Sequence, residues 1–220
     1  FVGMKDSKLG ELLALMDKKE VGRFMKFVGS PYHNANATLL RLAELLVGGS
    51  KSLEKQVVWE HLFPQLPFED LVFRRLMSDL LALAGEFLTL EQFTKSEAQQ
   101  QVQLLKALRE REATGLYEFF YRKSERAASA SPLLLNSGTL LDGYLLQAER
   151  NAWLERSANR SGVTNLDASV ASLDRFYLFN KLKYACTLLN NRNVMGGEFQ
   201  DPFLEGLLKH QKIKCKLHAS

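Results

Sequence analysis

Apolar residues recur every three or four positions along almost the whole chain, and this rhythm limits the fold more than any other feature. Phe73, Leu76, Leu80, Leu83, Phe87 and Leu90 form one stripe on a long helix expected from about Glu69 to Thr94. The opposite face of that helix carries Arg75, Ser78, Asp79, Ala82 and Glu86. Such a helix is stable only when its stripe is covered by other helices. No strand-like alternation persists beyond a few residues. The expected class is therefore all-α.

About nine helices are expected. The first runs from about Ser7 to Met16. Asp17 caps the second, Glu20 completes a capping box, and Phe24, Phe27 and Val28 face inward. Asn36 caps a third, bearing Leu39, Leu40, Leu42, Leu45 and Leu46, which Gly48-Gly49 closes. Ser52 caps a fourth, from about Leu53 to Leu62, presenting Val57, Val58 and Leu62, and Phe63-Pro64-Gln65-Leu66-Pro67 makes a rigid turn into the long helix. Further helices are expected at about Glu97 to Glu112, Thr114 to Ala128, Ser137 to Ala158 and Leu166 to Asn191, and a last one begins near Asp201, with Pro202 at its first position. In the helix from Ser137 the inward positions are Leu141, Tyr144, Leu145, Ala148 and Ala152. In the helix from Leu166 they are Val170, Leu173, Phe176, Tyr177, Tyr184 and Leu188.

Helices joined by short loops pack as antiparallel neighbours. The expected organisation is an N-terminal helical module over residues 1–95, followed by irregular α-solenoid-like hairpins over residues 96–220. The chain opens on Phe1 and its last residues read as an unfinished helix, so a fragment of a longer protein is expected.

The function classes narrow by elimination. The 46% hydrophobic and 25% charged fractions are those of a globular protein. Cys186 and Cys215 make no disulfide framework and sit in helical patterns, which points to a reducing, cytoplasmic setting. No apolar run reaches the roughly 20 residues that span a bilayer. The sequons at Asn36 and Asn159 read as a helix cap and a loop. The +4 net charge gathers at the C-terminal end, where Lys209, Lys212, Lys214 and Lys216 read as a solvated helix end, so nucleic acid is not the expected partner.

No chemistry-bearing constellation emerges. His33, His61, His210 and His218 form no Glu-x-x-His motif, which a di-iron bundle needs twice. His210, Cys215 and His218 lack a fourth zinc ligand. Gly48-Gly49 and Gly196-Gly197 lack the Lys and hydroxyl that complete a phosphate loop. Cys186, amid Tyr184, Ala185, Leu188 and Leu189, reads as a small core residue, and Glu110, Glu112, Glu69 and Asp70 as surface charge. No catalytic residue, metal or cofactor is expected.

Two constellations suggest binding. The helix ending at Leu62, the turn at Phe63-Pro64 and the helix bearing Arg74, Arg75, Ser78 and Asp79 resemble the helix-turn-helix core of winged-helix regulators. The module nets only +1 (11 Lys plus Arg against 10 Asp plus Glu over residues 1–80), which is little for a DNA binder. The aromatics Tyr117, Phe120 and Tyr121 either line a peptide groove or fill the core, and core is the expected outcome.

The run Glu20-Val21-Gly22-Arg23-Phe24-Met25-Lys26-Phe27, with Ser30-Pro31-Tyr32-His33-Asn34, resembles the opening of a group of uncharacterised bacterial helical proteins. So do Leu62-Phe63-Pro64, Leu76-Met77-Ser78-Asp79-Leu80-Leu81, Phe87-Leu88, and Lys181-Leu182-Lys183-Tyr184-Ala185-Cys186 with Leu188-Leu189-Asn190. The resemblance implies a longer chain with tetratricopeptide-like hairpins in its later part, and no activity. The expected function is a non-enzymatic interaction or scaffold protein with a protein partner. The alternative is a transcription-regulator-like protein with a weak DNA-binding module and a helical sensor or dimerisation region.

Overall fold

The computed structural model describes residues 7–48, 54–130, 136–157 and 165–195. Among them are nine helices and no strand: α1 (Lys8–Ala14), α2 (Lys18–Val28), α3 (Ala37–Gly48), α4 (Lys55–Leu62), α5 (Asp70–Thr94), α6 (Glu97–Glu110), α7 (Thr114–Ala130), α8 (Ser137–Ser157) and α9 (Leu166–Met195). The protein is all-α. It divides into two compact units, Phe1–Ser96 and Glu97–Ser220. No described helix is long and apolar enough to cross a membrane.

In the first unit α5 is the central element, packed by α1, α2 and α3, with α4 against α3. Its stripe behaves as the periodicity requires, and Phe73, Leu76, Leu80, Leu83 and Phe87 are buried. Leu90 departs and is 42% exposed, because the core of this unit stops at Phe87 and Leu88. Phe24 and Phe27 of α2 reach the Phe87 ring at centroid distances of 5.5 and 5.7 Å. Arg23 adds a bidentate bridge from α2 to Glu91 of α5, with Nη2 to Oε2 at 2.6 Å.

The helix starts follow local chemistry. Asp17 Oδ1 accepts from the Lys19 and Glu20 amides at 2.6 and 2.8 Å, and Glu20 Oε2 accepts from the Asp17 amide at 2.9 Å. Those backbone donors hold the Asp17 carboxyl below its ordinary value. Ser7 caps α1 and Asn36 caps α3. The proposed cap of α4, Ser52, lies outside the described residues, and Glu54 occupies the cap position without a side-chain bond. The turn after α4 is pinned by Trp59, whose indole N–H donates to the Leu66 carbonyl at 3.1 Å. Gln65 within it takes a positive φ of 76°.

In the second unit α6 packs against α7 and α8, and α8 against α9. Leu105, Leu108, Tyr117, Tyr121, Leu146 and Trp153 make its core. The inward face of α8 is one position away from expectation. Leu146, Glu149 and Trp153 are buried, whereas Leu141, Tyr144, Leu145, Ala148 and Ala152 are only half-buried. Trp153 stacks on Tyr117 at 4.0 Å and 8°, and this large aromatic pair sets the rotation of α8. Asp142-Gly143, a dipeptide favoured in hairpin turns, lies within the same helix.

The expectation for α9 is corrected more deeply. Leu166, Val170, Leu173, Tyr177, Tyr184 and Leu188 are 40–62% exposed, and only Phe176 of the expected inward set is half-buried. α9 meets α8 in part through hydrogen-bonded polar groups, and Phe176 and Phe179 of α9 are half-buried. Ser137 Oγ donates to Asn180 Oδ1 at 2.7 Å, Asn165 Nδ2 to Gln147 Oε1 at 2.7 Å, and Ser169 Oγ to the Gln147 carbonyl at 3.1 Å. The expected apolar stripe of α9 lies beside that face and is exposed.

Candidate functional site

The start of α5 holds the residues singled out for nucleic acid. Arg74 forms an ion pair with Asp70 one turn earlier, and Asp70 also lies 3.9 Å from Lys55 Nζ. Arg75 and Ser78 are exposed. The link from α4 to α5 covers seven residues, 63–69. The turn of a helix-turn-helix has about three or four residues. Arg74 is thus engaged within its own helix, and Glu69, Asp70 and Asp79 put acid beside the two arginines.

Tyr117 and Tyr121 are core residues. Tyr117 is fully buried and donates its hydroxyl to the Glu149 carbonyl at 3.2 Å. Tyr121 is buried under the Arg150 guanidinium, 4.5 Å from the ring centroid, and its hydroxyl donates to Glu125 at 3.3 Å. Phe120 is half-buried, edge-on to Phe119 at 5.1 Å. Burial pushes both tyrosine hydroxyls above their ordinary value, with Glu149 adding to the effect at Tyr117 and Glu125 at Tyr121. Both therefore stay neutral at physiological pH.

Charge surrounds these rings in closed pairs. Arg109 Nε donates to Glu149 Oε1 at 2.6 Å, and Glu149 is 8% exposed. This hydrogen bond raises the Arg109 guanidinium above its ordinary value. Glu118 Oε1 accepts from Arg150 at 2.6 Å and from the Trp153 indole at 3.2 Å. Arg156 reaches Glu112 at 2.9 Å at the surface. No buried side-chain nitrogen or oxygen among the described residues lacks a hydrogen-bond partner. The network ties α6, α7 and α8 together.

The outer face of α7 is different. Leu116 is 56% and Phe119 63% exposed. Arg122, Lys123 and Arg126 follow on the same side, all exposed, and none forms an ion pair among the described residues. Sequence reasoning passed over this face. The signal was present in the spacing of Leu116, Phe119, Lys123 and Arg126, which share one side of a helix.

Between α8 and α9 lies a groove of about 290 Å³, lined by Thr139, Leu140, Gly143, Gln147, Ser172 and Arg175 among others. Its hydroxyls, amide and guanidinium can hydrogen-bond, but they include no group suited to general acid–base chemistry near neutral pH. No three His, Cys, Asp or Glu residues gather as a metal site among the described residues. His33 stacks on Phe27 at 4.0 Å, and His61 Nδ1 lies 2.7 Å from the Val57 carbonyl. Cys186 is exposed rather than a core residue. His210, Cys215, His218, Asn159 and the helix expected from Asp201 fall outside the described residues.

Against this geometry the comparisons with known proteins add nothing further: no family, curated protein or solved structure matches the chain.

Proposed function

We propose that this chain is a non-enzymatic interaction or scaffold protein, acting in the cytoplasm through a protein partner. The observation that carries this reading is α9. Leu166, Val170, Leu173, Tyr177, Tyr184 and Leu188 are exposed on one side of the helix. They are spaced by three, four or seven residues, the spacing of a seam that receives another helix. Large apolar side chains gathered in this way mark interaction surfaces. The irregular solenoid of tetratricopeptide-like hairpins, and the bacterial kinship suggested by the sequence motifs, are part of the same proposal. In such arrays each helical hairpin leaves a face for the next element or for a ligand.

Affinity capture with the wild-type chain and with the Val170→Glu, Leu173→Glu double variant tests the reading. Proteins held by the first and lost by the second support it. Equal retention by both, or none by either, overturns it. The transcription-regulator alternative has less support, because Arg74 is occupied by Asp70 and acid flanks Arg75.

A further inference from the structure

We propose that α9 pairs with α9 of a second copy of this chain, antiparallel and about a two-fold axis near Tyr177. The proposal rests on the reading of α9 as an interaction surface, and it names the partner that this surface receives.

The exposed stripe of α9 runs from Leu166 to Leu188, and its midpoint falls at Tyr177. Beside it stand three charges at seven-residue spacing, Asp167, Asp174 and Lys181. At about 100° per residue, they share the flank of the stripe that lies away from Ser169 and Asn180, which bond to α8. Arg175, next to Asp174 in sequence, lines the groove with α8 and is not on that flank. Asp174 is exposed and forms no ion pair among the described residues. The positions three and four away from it on α9 are Val170, Ala171, Tyr177 and Leu178, so its own helix offers no opposite charge.

Asp174 and Lys181 lie at nearly equal distances on either side of the centre of the stripe. A second α9 laid antiparallel across that centre sets Asp174 opposite Lys181 of the second copy, and Lys181 opposite its Asp174. Two-fold symmetry then makes the pair twice. The same register sets Leu166 against the Leu188 end of the second copy and brings the two Tyr177 side chains together at the axis. Charges that flank an apolar seam in this way select partner and orientation. A parallel pair would set each charge level with its own copy, and the complement would be lost. A foreign helix could cover the stripe, but a second copy necessarily brings this acid and this lysine in inverted order.

The area is sufficient. The six large side chains of the stripe are 40–62% exposed. At roughly 200 Å² for a fully exposed side chain, two copies can cover about 1,200 Å² in total, above the roughly 1,000 Å² that a specific interface needs. An interface of that size suits a dimer in exchange with its monomer.

The test is sedimentation equilibrium of the full chain over a range of concentrations. The samples are the wild type, Asp174→Lys, Lys181→Asp and an equimolar mixture of these two variants. The wild type should populate a dimer as concentration rises. Each variant alone sets like charges opposite one another twice, and its dimer dissociation constant should rise about tenfold or more. The mixture should regain most of the wild-type affinity, because each substituted position then faces its complement. Added salt should shrink these differences. Circular dichroism checks that each variant stays folded, and recovery in the mixture itself requires folded chains. A wild type that stays monomeric at every concentration overturns the proposal. So do variants that dimerise like the wild type, or a mixture that dimerises no better than its components. If the wild type is monomeric while capture of other proteins still depends on Val170 and Leu173, the self-pairing falls and the broader reading of α9 stands.

Discussion

Replacing Glu149 with Leu isolates the energetic role of the buried ion pair in the second unit. Glu149 is 8% exposed, and its partner Arg109 keeps 20% of its side-chain surface in water. Leucine roughly preserves the volume at 149, and the backbone carbonyl that accepts from Tyr117 is untouched. What changes is that the guanidinium loses its acceptors. Breaking a buried pair costs about 3–5 kcal/mol, and the remaining water access of Arg109 brings the expected loss down to about 2–3 kcal/mol. With a urea slope of about 1.5 kcal/mol per molar, the midpoint should drop by about 1.3–2 M. Trp153 fluorescence reports the transition in a Trp59→Phe background, which removes the signal of the first unit and avoids treating two units as one transition. The double substitution Arg109→Met, Glu149→Leu removes both charges and should recover to within about 1 kcal/mol of the background protein. A midpoint within about 0.3 M of the background for Glu149→Leu alone refutes the reasoning. A double variant as unstable as the single one would equally show that lost packing, not the orphaned charge, sets the cost.

Other positions give independent checks. Burial raises the Asp142 carboxyl above its ordinary value, against the opposing hydrogen bond from Gln99. A carboxyl whose folded value lies above its unfolded one lowers stability at neutral pH, and the penalty disappears as pH falls below both values. Asp142→Asn should therefore raise the urea midpoint of the second unit at pH 7 and give no gain near pH 3. A gain that persists in acid would point to packing instead. Asp17 titrates with the opposite sign, since its folded value is depressed, so the capping contribution present at neutral pH is lost as pH falls through that value. Asp17→Ala should then lower the melting temperature at pH 7 and narrow its difference from wild type in acid. Phe24→Ala in the first core should cost about 3–5 kcal/mol in chemical denaturation, because Phe24 is fully buried against Phe87. For the helix-turn-helix alternative, a low-salt mobility-shift assay should show no duplex binding. A shift abolished by Arg74→Ala with Arg75→Ala would restore that reading.

The sequence by itself determined whatever depends on neighbours along the chain. The capping box at Asp17 and Glu20, the cap at Asn36 and the inward set Phe24, Phe27 and Val28 all follow from spacings of a few residues, and the structure contains them. The stripe of α5 was legible because its apolar and polar faces separate cleanly over seven turns. Tertiary structure decided what depends on which helix faces which. Periodicity gives the pattern of an apolar stripe but not its partner. In α8 the Tyr117–Trp153 stack turned the buried face by one position, towards Leu146 and Glu149. In α9 the polar side chains of Asn165, Ser169 and Asn180 meet α8 and are hydrogen-bonded, since polar groups brought into a contact must be satisfied there, while the expected apolar stripe is exposed. An ion pair between residues 32 positions apart is a fact about folded geometry. The all-helical class, read from the first stripe, needed no such fact, because a helix closes its own backbone hydrogen bonds within each turn.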